Sequence, residues 1–200
     1  MTASAQAMQT RMNLMTPDEQ EEWIYIARLR GNRLFKANMF EQAAEVYLEA
    51  VTAAKIVCDE DQVHTLLCNL SACLLAQGKP QHALKIANQV LIENPKHIRA
   101  LERRSKAYSA LQQYDNAKAD LINASSLSQD ESSKNQFRAQ LEELRIIEKK
   151  DKQTYERMFA DQDSDEEDWI PVVSSVVKLF TLPVKLYRAV ESLCRRSEEL

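Results

Sequence analysis

The sequence predicts an all-α chain of three helix–turn–helix repeats followed by a long C-terminal helix. Three observations carry this. Glycine occurs only twice in 200 residues, where average usage of roughly 7% would give about 14. Sandwiches, barrels and turn-rich α/β enzymes rely on positive-φ positions that glycine fills. Such scarcity favours long helices joined by short links, and two isolated glycines cannot form a Gly-rich phosphate loop. The second observation is an internal repeat. Segments 31–51, 72–95 and 106–127 align so that Ala43, Ala83 and Ala117 share one position. The second interval is 34 residues and the first is 34 plus six, a period that marks a stacked supersecondary unit. The third is helix punctuation. Thr16-Pro17-Asp18-Glu19 is a capping box with proline at the first helical position and acids in the first turn.

The elements follow in order. Residues 1–16 read as a flexible N-terminal tail. Helix A1 is expected at 17–37 and B1 at 40–58, opening on Phe40. The six extra residues fall between Tyr47 and Cys68, which lengthens B1 and A2 (61–77). Gly78 makes the next turn, Pro80 suits the first turn of B2 (80–93), and Pro95 stops the repeat. A3 is expected at 97–111 and B3 at 114–127, opening on Tyr114. The last helix spans 131–160, with Phe137, Leu141, Leu144 and Ile147 at helical spacing. It should cover the exposed apolar face of the last repeat.

These residues resemble the tetratricopeptide repeat family, whose unit is a 34-residue helix–turn–helix. Gly31 stands where helix A packs closely on its neighbour. Ala43, Ala83 and Ala117 mark the A–B crossing, Tyr47 and Leu121 the large residue one turn on, and Ala50 and Ala124 a second small position. Pro80, Val90 and Ser105 depart mildly from the pattern. The resemblance implies a right-handed superhelix whose concave surface is lined by the A helices. It covers roughly residues 20–160, and the repeat domain with its capping helix is placed at 17–160.

On that surface Arg28 and Asn32 share a face of A1, Arg99 and Arg103 share a face of A3, and Asn69 lies on A2 between them. Guanidiniums bind carboxylates through paired, charge-assisted hydrogen bonds, and Asn amides donate without adding charge. The set suits an extended peptide ending in two close carboxylates. It resembles the carboxylate clamp of the co-chaperones that grip the Glu-Glu-Val-Asp ending of the ninety- and seventy-kilodalton heat-shock chaperones. The resemblance implies that Arg28, Asn32 and Asn69 take the terminal carboxylate, while Arg99 and Arg103 take the side-chain carboxylate. Arg28 and Arg99 stand where that family usually has lysines, and Arg is not equivalent to Lys at a tight site. Within the family, RGNRLFKANMFEQAAEVY and KKDKQTYERMFA resemble the immunophilin and aryl-hydrocarbon-receptor-interacting type. The isomerase-like domain that precedes the repeats there is expected to be absent from this chain.

Net charge is −4, unevenly placed. Residues 161–168 (DQDSDEED) form an acidic linker, expected to be solvated and extended. Ser164 within it has the acids of an acidophilic kinase site and is a phosphorylation candidate. The tail, 169–200, carries a basic stripe that includes Lys178, Lys185 and Arg188, and an apolar stripe through Leu179, Leu182, Leu186, Val190 and Leu193. With Trp169 and Phe180 it could pack on its own repeats, dock a client or second partner, or touch an anionic membrane surface. A protein scaffold or peripheral membrane adaptor acting through this tail is the alternative function.

The remaining expectations are exclusions. No basic character speaks for nucleic acid. Cys58, Cys68, Cys73 and Cys194 have no zinc spacing and read as reduced thiols of a cytoplasmic protein. No secretory leader is seen, and the uncharged run of the tail, Trp169–Val177, is too short to span a bilayer. His64, His82 and His97 have no evident acid or nucleophile partner in sequence, so no catalysis and no cofactor or metal are expected.

Overall fold

A computed structural model describes residues 3–160, all helical where regular. The chain divides into two units, Met1–Lys149 and Lys150–Leu200. The first holds α1 (Ala3–Asn13), α2 (Pro17–Lys36), α3 (Phe40–Ile56), α4 (Glu60–Ala76), α5 (Pro80–Glu93), α6 (Ile98–Ala110), α7 (Tyr114–Leu127) and most of α8 (Glu131–Ala160). The acidic linker and tail, with Ser164, Trp169, Lys178, Phe180, Lys185 and Arg188, lie outside the described residues.

Consecutive helices pack against each other from α2 through α7, the pairing of stacked hairpins, and α4 also touches α6. The expected A and B helices are α2 to α7, within the usual end-to-end scatter. The six-residue insertion is absorbed where expected. α3 and α4 have 17 residues each, against 14 in α5 and α7 and 13 in α6.

The repeat positions explain the packing. Ala43, Ala83 and Ala117 are fully buried, as are Ala50, Val90 and Ala124. Two hydrogen bonds repeat with the same spacing: Ser71 Oγ donates to the Ala83 carbonyl at 3.2 Å, and Ser105 Oγ to the Ala117 carbonyl at 2.9 Å. Gly31 holds the matching place in the first repeat. There a Cβ would come within 2.5 Å of Tyr47 Cε1, so the missing side chain makes room for the buried ring.

The turns between A and B helices use the left-handed conformation in every repeat, at Asn38 (φ 59), Gly78 (φ 70) and Gln112 (φ 60). Cys58 (φ 59) does the same between α3 and α4. At each, the following amide reaches back to a carbonyl five residues earlier, as in Met39 to Leu34 and Lys79 to Leu74 at 3.0 and 2.9 Å. This is the Schellman ending. The scarcity of glycine therefore does not mean a scarcity of positive-φ positions; three of the four are non-glycine.

Two expectations change. Residues 1–16 are not a tail throughout: α1 forms, and Met12 is completely buried in the core. Gln20 Nε2 donates to the Met12 carbonyl at 2.8 Å, and the Arg11 guanidinium lies 5.3 Å from the Trp23 ring centroid. An apolar anchor, a hydrogen bond and a cation–π contact together hold the segment. In α8, Phe137 and Leu144 are buried and Leu141 packs against the core, whereas Ile147 remains 38% exposed. Lys118 on α7 meets Glu148 on α8 at 2.7 Å.

Candidate functional site: a cationic face on the A helices

Arg28 and Asn32 stand on α2, Asn69 on α4, and Arg99 and Arg103 on α6. Arg28, Asn32, Asn69 and Arg103 are half-buried and Arg99 is exposed. The Tyr47 hydroxyl donates to Asn32 Oδ1 at 2.6 Å, and Tyr47 lies in the electrostatic field of both Arg28 and Cys73. Cys73 in turn feels Arg103, and Cys68 feels Arg103 and Arg99. Arg28 and Arg103 thus both act electrostatically on buried side chains between α2 and α6, Tyr47 and Cys73.

The three guanidiniums have no acid partner among the described residues. Arg28 Nε and Arg103 Nε are buried donors without a protein acceptor. Arg28 instead lies over the Tyr25 ring, 5.4 Å from its centroid. Glu102, which feels the charge of Arg103, is already engaged by Lys106. Burial raises the pKa of Glu102, but the Lys106 hydrogen bond at 2.7 Å, the Lys106 charge and Arg103 outweigh it and hold the carboxyl below its ordinary range. Arg104, one residue on, shows the contrast. Its Nε and Nη2 each donate to Asp120 at 2.7 Å, and Nη1 donates to Asn88 at 3.0 Å. It bonds α6 to α5 and α7, and these hydrogen bonds to Asp120 raise its pKa.

Two of the histidines and one thiol, unpaired in sequence, find partners in space. His64 Nε2 lies 2.7 Å from Glu93 Oε2, and the His64 and His97 rings meet edge to face at 6.0 Å. His97 caps α6: its Nδ1 accepts from the Ala100 amide at 3.2 Å and lies 3.8 Å from Cys68 Sγ. Burial, His64 and Arg99 hold its pKa below the ordinary histidine value. Burial pushes the Cys68 and Cys73 thiols up to about 11, so both stay protonated at neutral pH. No group of three metal-ligating side chains stands together among the described residues.

Sequence reasoning placed all five cationic and amide residues on the A helices, but missed what supports them. Tyr47 beneath Asn32, Tyr25 beside Arg28 and His97 at the start of α6 join residues far apart in the chain, or read equally well as packing and surface. A cavity of about 310 Å³ among α6, α7 and α8 is lined by Lys106, Ser109, Leu121, Gln140, Leu144 and Ile147 among others and by none of the five. Lys106 falls seven residues after Arg99, so it continues the same helical stripe.

Comparison with known proteins agrees with the fold. No protein-family model matches the chain. Among curated relatives, human FK506-binding protein-like is 36% identical over 105 residues, covering 52% of this chain and 30% of that protein. Mouse aryl-hydrocarbon-interacting protein-like 1 is 27% identical over 154 residues, covering 70% and 45%. The chain spans less than half the length of these relatives. Among solved structures, the Hsp90 co-chaperone Cns1 from Saccharomyces cerevisiae superposes with a TM-score of 0.59 at 23% identity, covering 86% of this chain and 55% of that one. The first tetratricopeptide domain of Spaghetti, solved bound to an HSP90 peptide SRMEEVD, gives 0.50 at 22%, covering 59% and 90%. The fold and repeat pattern define a tetratricopeptide-repeat superhelix. The chain has the tetratricopeptide-repeat fold and is similar over part of its length to immunophilin-type relatives.

Proposed function

We propose that the A-helix face binds the C-terminal peptide of a heat-shock chaperone through a carboxylate clamp, and that the protein is a non-catalytic co-chaperone adaptor. The observation that carries this is the set of three guanidiniums left without an acid partner beside two half-buried Asn amides. Two of these guanidiniums, Arg28 and Arg103, carry a buried Nε donor without a protein acceptor, which a freely solvated surface charge would not. Arg28, Asn32 and Asn69 take the terminal carboxylate, and Arg99 and Arg103 the side-chain carboxylate next to it. Each charge-assisted contact is worth about 1.5–3 kcal/mol when desolvated. The peptide bound by the Spaghetti domain ends in this chemistry, Glu-Glu-Val-Asp.

The test is fluorescence anisotropy with labelled Ser-Arg-Met-Glu-Glu-Val-Asp and its C-terminally amidated form. Saturable binding of the free acid, weakened at least tenfold by amidation, supports the clamp. Equal binding of both forms, or none, refutes it.

A further inference from the structure

The contact beneath Asn32 has a direction that the proton inventory settles. Tyr47 is 2% exposed and its ring is wedged against Gly31. Burial pushes its phenol up to about 12, so the hydroxyl keeps its proton. That proton needs an acceptor. Of the charged or titratable groups that act on it, the Arg28 guanidinium has no lone pair to offer and the Cys73 thiol is a weak acceptor. Asn32 Oδ1, 2.6 Å away, is the strong one. With Oδ1 occupied, the amide nitrogen of Asn32 turns away from the ring, and it has no acceptor among the described residues. Reversing the amide would let Asn32 donate to the phenol oxygen but would strand a buried proton.

We propose that Tyr47 is a positioning residue for the carboxylate site, holding Asn32 with its amide donors toward the groove so that the site prefers an anionic peptide terminus over a neutral one. This rests on the reading of the groove given under Proposed function. Without the Tyr47 hydroxyl, both orientations of the Asn32 amide become accessible. In the reversed one Oδ1 faces the groove, repels a carboxylate and accepts from a carboxamide. The selectivity between the two termini then collapses while the packing, which depends on the ring, remains.

The test uses the full chain as wild type, Tyr47→Phe, Asn32→Ala and the double variant, with free-acid and amidated Ser-Arg-Met-Glu-Glu-Val-Asp as probes. Tyr47→Phe is expected to lower the acid-to-amide affinity ratio about tenfold, the effect of one lost charge-assisted hydrogen bond. Melting temperature should stay close to wild type. The double variant should be no weaker than Asn32→Ala alone, because Tyr47 acts through Asn32. An unchanged ratio in Tyr47→Phe, or losses that multiply in the double variant, overturns the proposal. A second readout needs no peptide: the carbon-13 shift of the Asn32 carboxamide in the free protein. Tyr47→Phe should move it, since Oδ1 loses its donor, and an unmoved signal overturns the orientation. If wild type binds neither peptide but this shift moves, the chaperone reading falls while the orientation of Asn32 stands.

Discussion

Gly31 and Tyr47 fit together so closely that one added methyl group on Gly31 would sit 2.5 Å from the Tyr47 ring. The ring is buried and has no open side to swing into. Gly31→Ala is therefore expected to destabilise the domain despite the better helix propensity of alanine. Overpacking costs about 1–3 kcal/mol and propensity returns up to about 1. Urea unfolding should show a lower midpoint with an unchanged slope. Because that ring carries the hydroxyl that bonds Asn32, peptide affinity should fall with it.

The repeated left-handed turns predict opposite signs at equivalent positions. Gln112 holds φ 60 with a side chain that disfavours it, so Gln112→Gly should stabilise by about 0.5–1 kcal/mol. Gly78 holds φ 70 in open space, so Gly78→Ala should cost about 1 kcal/mol through backbone strain alone. Thermal unfolding of the two variants beside wild type checks the pair.

Asp120 is buried and depends on Arg104 for two hydrogen bonds. Arg104→Met leaves that carboxylate without its guanidinium, at a cost of about 3–5 kcal/mol. Adding Asp120→Asn should recover part of the loss, because the stranded charge is removed. Chemical denaturation of the single and double variants measures the recovery.

His97 gives the repeat region a pH dependence. Its pKa in the folded chain lies below the ordinary 6.5, through burial, His64 and Arg99, with Asp61 opposing. Below pH 6.5 the unfolded chain binds a proton that the folded chain resists. The stabilisation is complete above that value and is lost as pH falls toward the folded pKa. Protonation also removes the Nδ1 lone pair that caps α6. His97→Asn keeps a cap acceptor without the titration, so it should flatten the decline in stability between about pH 6.5 and 5.

Much of the architecture was legible because it rests on local rules. The Thr16–Glu19 capping box, the aromatic residues opening α3 and α7, and the buried alanines at one repeat position all act within a helix or a hairpin. Helix α1 was harder to see, since its core anchor Met12 has few apolar companions in a weakly patterned segment. The left-handed turns at Asn38 and Gln112 were hidden because no glycine marks them, although each occupies the repeat position of Gly78. At the site, the spacing of Arg28 with Asn32 and of Arg99 with Arg103 follows from helix geometry. The Tyr47–Asn32 hydrogen bond does not, because it depends on how two helices cross. The diversion of Arg104 to Asp120, while Arg103 stays unpaired, also depends on tertiary packing.

The most direct measurement is an NMR titration of the nitrogen-15 labelled chain with unlabelled Ser-Arg-Met-Glu-Glu-Val-Asp, following side-chain resonances. The account predicts that the Asn32 and Asn69 amides and the Nε–H signals of Arg28, Arg99 and Arg103 shift together and saturate at one peptide per chain. Arg104, tied to Asp120, should stay nearly still. Shifts confined to the B helices or α8, with these five side chains unmoved, would contradict the clamp.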